Sequence, residues 1–147
     1  MAQTTFSGPL ASGDKEAGIS GGSNVGLVVL SQSVLITYDA TLVQTGTVIL
    51  PANSRLLEVV VDVVTAYNSA TSATLTVGSA AAGTQYSTST NVKTQTTRSY
   101  SAPTNAQAAA MNDIGTNTTV YATVTSVGQP TAGSVRVTYT YVQTVGV

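Results

Sequence analysis

The chain has 147 residues, with no Cys, no His, only 7% charged residues and a formal net charge of −1. These absences exclude disulfides, thiolate chemistry, imidazole metal ligands and His-dependent acid–base catalysis. The near-zero charge gives no electrostatic footprint for nucleic acid or an acidic membrane surface. Ordinary soluble domains carry roughly 25% charged residues, so here Thr, Ser, Asn and Gln bear the polar load. Such a chain stays soluble through a densely hydroxylated surface or through partners that cover it within a larger assembly. The length suits one domain with a core of its own.

Residues 1–24 hold Gly8, Pro9, Gly13, Gly18, Gly21 and Gly22 among Ser, Thr and Ala, with no period of 2 or 3.6. That composition buries no core by itself and predicts an extended arm, followed by a body over residues 25–147. Phe6 and Leu10 are isolated apolar points in the arm, either parts of a loose terminus or anchors that dock it on a neighbouring subunit. Val25–Leu30 and Val34–Tyr38 are apolar runs around Ser31-Gln32-Ser33, which predicts either a hairpin or one bent strand. Asp39–Gly46 reads as a connection, with Leu42 and Val43 able to extend a strand, and Val48–Leu50 leads into a turn at Pro51-Ala52-Asn53-Ser54.

A long strand follows. At period two, Leu57, Val59, Val61 and Val63 share one face, and Leu56, Glu58, Val60, Asp62 and Val64 form a mixed opposite face. Residues 67–72 break it before Ala73, Leu75 and Val77 alternate with Thr74 and Thr76. Gly78–Gly83 is a small-residue loop, residues 84–100 a polar stretch with a short edge strand, and residues 102–115 a short helix capped by Asn105 and stopped by Gly115. Val120, Ala122 and Val124 oppose Tyr121, Thr123 and Thr125. After Gly128–Gly133, Val135, Val137, Tyr139 and Tyr141 oppose Ser134, Arg136, Thr138 and Thr140. Two alternating runs about a Gly/Pro turn predict a hairpin. The whole reads as all-β, a single-domain sandwich of jelly-roll type with an N-terminal arm.

No chemistry-bearing constellation emerges. Glu58 and Asp62 share a strand face four residues apart, about 13 Å at roughly 3.3 Å per residue, beyond the separations of paired glycosidase carboxylates. They read as solvent-facing or interface carboxylates, with Arg55, Arg98 or Arg136 as ion-pair partners. No calcium-loop or phosphate-loop spacing occurs, and without His or a placed Lys no Ser or Thr is activated. No catalytic residue, cofactor or metal site is expected, and the chain does not read as an enzyme. Asn117-Thr118-Thr119 matches a glycosylation sequon, a short pattern common by chance. Tyr67, Tyr86 and Tyr100 fall in predicted loops and are the candidates for sugar stacking. No apolar run approaches the roughly 18 residues of a membrane span. The N-terminus lacks a secretion signal, so synthesis in a cytoplasm is expected.

Several stretches carry a resemblance. The opening Met-Ala-Gln-Thr-Thr-Phe-Ser-Gly-Pro, the run Leu50–Val63, the Ala-Thr-Leu-Thr-Val-Gly element at Ala73–Gly78 and the Pro130–Val137 strand resemble small head structural proteins of tailed bacteriophages, the capsid decoration or cement proteins. Residues 79–118 are less similar. The resemblance implies a virion protein with a β-sandwich body, often a homotrimer, that grips the major capsid protein on the outside of the shell and stabilises the head. No catalytic residues carry over. The residues set against capsid or neighbouring subunit are then Phe6, Pro9, Leu10, Arg55, Glu58, Asp62, Arg98 and Arg136. The alternative is a carbohydrate- or host-receptor-binding module of a head fibre or tail component, with a surface glycan as partner.

Overall fold

Runs of Val, Thr and Tyr with period two make strands because branched and aromatic side chains pack on a pleated surface. The computed structural model describes residues 27–93 and 98–144, and the expected arm over residues 1–24 lies outside them. Eight strands and one helix follow in order: β1 (Leu27–Thr37), β2 (Val43–Leu50), β3 (Ser54–Thr65), β4 (Ser72–Gly78), β5 (Ser87–Asn91), β6 (Arg98–Tyr100), α1 (Asn105–Asn112), β7 (Thr118–Val127) and β8 (Ser134–Thr144). Sheet A has the order β1-β8-β3-β6 and sheet B the order β2-β7-β4-β5. All pairings are antiparallel.

The first strand pairs with the last, the second with the last but one, and so inward to β4 with β5. Successive pairs fall on alternate sheets. One long antiparallel ribbon has thus rolled up, which is the jelly-roll sandwich expected from the sequence.

Between the sheets lies one apolar core. Leu50, Val59, Leu75, Val77, Val120, Val124, Val135 and Val137 are fully enclosed in it. On β7 and β8 the inward residues are those assigned by alternation: Val120, Ala122 and Val124, then Val135, Val137, Tyr139 and Tyr141. Burial at about 25 cal/mol per Å² of apolar surface is what joins the two sheets.

Three local expectations need correction, and one open alternative is decided. First, β7 and β8 do not form a hairpin, because β7 lies in sheet B between β2 and β4 while β8 lies in sheet A between β1 and β3. The Gly128–Gly133 segment arches across the sandwich. Gly128 sits at φ 86°, and Asn68 holds the arch by accepting from the Thr131 and Ala132 amides at 2.8 and 3.0 Å. Turn residues encode a reversal of direction, and burial decides which sheet each arm joins.

Second, the face assignment of β3 fails at its start. A register shift between Leu56 and Glu58 turns Leu56 into the core and leaves Leu57 exposed. A bulge inserts one residue and inverts the alternation on one side of it. Beyond the bulge Val59, Val61 and Val63 face inward as expected.

Of the hairpin or single strand expected around Ser31-Gln32-Ser33, the single strand forms, and the three residues lie inside β1. Third, the helix is capped by Thr104, not Asn105. Thr104 Oγ1 accepts from the Gln107 amide, and Gln107 Oε1 accepts from the Thr104 amide, a reciprocal capping box. Gln107 also donates to Thr84 O at 2.7 Å, and Met111 and Ile114 plug the end of the core.

Candidate functional site

With the inner faces committed to the core, the surfaces free to act are the outer faces and the sheet edges. On sheet A the register aligns the outward residues in rows across the strands. Leu35, Arg136, Asp62 and Arg98 form one row on β1, β8, β3 and β6. Thr138, Val60 and Tyr100 form the next, Thr140 and Glu58 another, and Val142 with Arg55 the last. Five of the predicted contact residues, Arg55, Glu58, Asp62, Arg98 and Arg136, therefore share one outer face.

Asp62 stands between two guanidinium-bearing neighbours, Arg136 on β8 and Arg98 on β6. It pairs with Arg98: Nε donates to Oδ1 at 2.6 Å and Nη2 to Oδ2 at 3.3 Å. Among the described residues this is the only ion pair. The Asp62 carboxylate, then Tyr100, hold the exposed Arg98 guanidinium above its usual range. Glu58 and Asp62 share the face four residues apart, two rows from each other, and no group of acidic side chains among the described residues is arranged to hold a metal ion. Phe6, Pro9 and Leu10 lie outside the described residues.

Sheet B presents a different outer face. Thr45 and Thr47 on β2, Thr119, Thr123 and Thr125 on β7, and Thr74 and Thr76 on β4 point outward, with no charged side chain among them. The loop after β4 folds over part of this face. The Ala82 amide donates to Thr123 Oγ1 at 3.0 Å, which in turn lies 3.4 Å from Thr45 Oγ1. Gly78 serves this fold-over, since a Cβ there would meet Gln85 Oε1 at 2.1 Å and Gly83 at 2.6 Å.

The tyrosines correct the sugar-stacking candidates. Tyr67 and Tyr86 are buried, and of the three named only Tyr100 is exposed. Burial, with a smaller effect of Asp39, pushes the Tyr67 phenol up to about 12, and burial alone raises Tyr86 and Tyr139. Tyr38, the other exposed tyrosine, directly follows β1, at the opposite edge of sheet A from Tyr100 on β6. Three inter-strand steps of about 4.8 Å separate those edges, too wide for the two rings to stack on one sugar.

No protein-family model matches the chain, and no curated protein matches it. One solved structure is similar in fold. It is a chain of the "Cyanophage Pam1 capsid asymmetric unit", 22% identical, with 97% of this chain and 94% of that chain covered and a TM-score of 0.58. The likeness runs over nearly the full length of both chains, so it concerns the whole architecture and not a shared sub-motif.

One group of surface residues is not legible in the sequence. Val29 and Leu35 on β1, and Val43 and Ile49 on β2, are all more than half exposed. Period two marks two faces of a strand but not which strand is at an edge, so outward-facing apolar residues pass as core.

Proposed function

We propose that the protein is a structural component of a phage virion, a capsid decoration or cement protein that binds the outside of the major capsid protein shell and stabilises the head. The observation that carries this reading is the end-to-end likeness to a chain of a cyanophage capsid asymmetric unit. The rolled eight-strand sandwich accords with a role by contact. The proposed partners are the major capsid protein and further copies of this chain as a homotrimer. The proposed location is the capsid surface, after synthesis in the host cytoplasm.

Two parts make the contact in this reading. The segment over residues 1–24, with Phe6, Pro9 and Leu10, docks on a neighbouring capsomer. The charged outer face of sheet A, with Arg55, Glu58, Asp62, Arg98 and Arg136, supplies the directional contacts. Arm docking gains backbone hydrogen bonds and buried area without many charges, and many copies on one shell add avidity. Removing residues 1–24 lowers the occupancy of purified protein on empty shells while circular dichroism still reports a folded β body. Unchanged occupancy would contradict the role given to the arm.

A further inference from the structure

The two sides of the sandwich are built differently. On one side the edge strands β5 and β6 are short and polar, with sequences Ser-Thr-Ser-Thr-Asn and Arg-Ser-Tyr. Short polar edges are the usual protection against strand pairing. On the other side the edge strands are β1, of 11 residues, and β2, of 8. They lie against each other: Gln32 Nε2 on β1 donates to Ile49 O on β2 at 3.0 Å, and Gly46 leaves no room for a Cβ beside Val34 and Ile36.

This long side is also the apolar side. Of eleven exposed large apolar residues among the described residues, seven belong to β1, β2 and their connection. Val29 is 61% exposed, Leu35 52%, Val43 51% and Ile49 60%. From Leu27 to Leu50 the one charged residue is Asp39, and its carboxylate is taken up by the Thr41 hydroxyl and amide at 2.6 and 3.1 Å. At these exposures the seven residues present on the order of 600 Å² in all, about half for each of two contacts, an apolar centre within the polar rim that fills a standard interface to roughly 800 Å² per partner. Interfaces of this apolar, charge-poor kind belong to permanent assemblies, whereas partners that meet as separate folded bodies use surfaces as polar as the rest.

The apolar residues occupy two shoulders. Val29 and Leu35 project from the outer face of sheet A, and Val43 and Ile49 from the outer face of sheet B. A two-fold dimer needs one self-complementary patch, while a closed ring needs two different patches per copy. We infer that copies of this chain close into a ring through the β1–β2 side, the sheet A shoulder of one against the sheet B shoulder of the next. The inference rests on the self-association within the proposed function and gives it a location.

The test is the mass of the full chain in solution by light scattering and sedimentation equilibrium, for wild type, Leu35→Lys, Ile49→Lys and the far-edge control Ser89→Lys. Wild type and Ser89→Lys give about three times 14.8 kDa. Each shoulder variant gives a single mass, with a dissociation constant raised roughly a hundredfold or more and an unchanged β signature. If a lysine disturbs the fold, Val29→Thr with Ile49→Thr applies the same test more gently. Shoulder variants that stay trimeric overturn the inference and leave self-association standing. A wild type of twice the chain mass contradicts the ring, and one that stays monomeric removes self-association itself. Binding to shells is read separately.

Discussion

The outer face of sheet A gathers Arg55, Glu58, Asp62, Arg98 and Arg136, while the outer face of sheet B, over the same core, carries seven threonines and no charge. Folding constrains the inner residue of each strand pair and leaves the outer one free. A difference between outer faces therefore reflects what each face meets. On sheet B part of the answer lies within the chain, since the loop after β4 settles on Thr123. On sheet A the charged row is satisfied only in part, by the bidentate pairing of Arg98 with Asp62, with Arg136 aligned on the other side. In our reading that face serves the contact with the shell.

If the two faces differ while the core is common, inner substitutions should cost the same on either sheet. Leu56→Ala on β3 and Leu75→Ala on β4 both remove side chains that are almost wholly enclosed. Each should lower unfolding free energy by about 2–5 kcal/mol, read from urea melts with an unchanged slope. A loss on one sheet alone would mean that the two halves unfold separately.

Alkaline pH sharpens the contrast within the core, because sheet A contributes the buried Tyr139 where the strands of sheet B turn no aromatic side chain inward. A phenol whose folded value is raised lends stability that is intact below its unfolded value near 10 and lost as pH rises through the folded value. With Tyr67 held at about 12, stability should fall between pH 10 and 12 by roughly 3 kcal/mol from this residue, seen in melts at stepped pH. Tyr139 is raised in the same direction, and its hydroxyl has no hydrogen-bond partner among the described residues. Tyr139→Phe should therefore be neutral or stabilising by on the order of 1 kcal/mol at pH 7 and should flatten the alkaline loss. A marked destabilisation at neutral pH would show that the hydroxyl has a partner.

The outer faces should give smaller effects of opposite kinds. Thr123→Val on sheet B strands the Ala82 amide and should cost about 1–2 kcal/mol, with faster amide exchange confined to the loop after β4. Arg98→Ala on sheet A breaks an exposed ion pair and should leave the melting temperature within measurement error, since such pairs contribute little. In our reading it weakens attachment to shells, most visibly at low salt. A clear loss of stability in Arg98→Ala would mean that the pair holds the short β6 strand in place.

Much of the sandwich was legible because alternation encodes burial directly, as in β7 and β8. What stayed hidden depends on contacts distant in sequence. The bulge at Leu57 follows from pairing with β8, and the arch at Gly128–Gly133 has the same turn residues a hairpin would use. Tyr67 and Tyr86 sit in segments that read as loops, yet they are enclosed because the sandwich closes over them. The charged face was legible as residues and not as an array: Arg98, Asp62 and Arg136 come from three strands, and only the register puts them in one row. The capping box began one residue earlier than expected because Gln107 lies three residues after Thr104, not after Asn105.

The most direct test of the account is the number of copies of purified full-length protein bound per expanded, undecorated phage shell, counted by quantitative gel and electron microscopy. The account predicts saturable binding at a symmetric number of outer sites. Absence of binding to shells, with retention on glycans or host envelope instead, would contradict it.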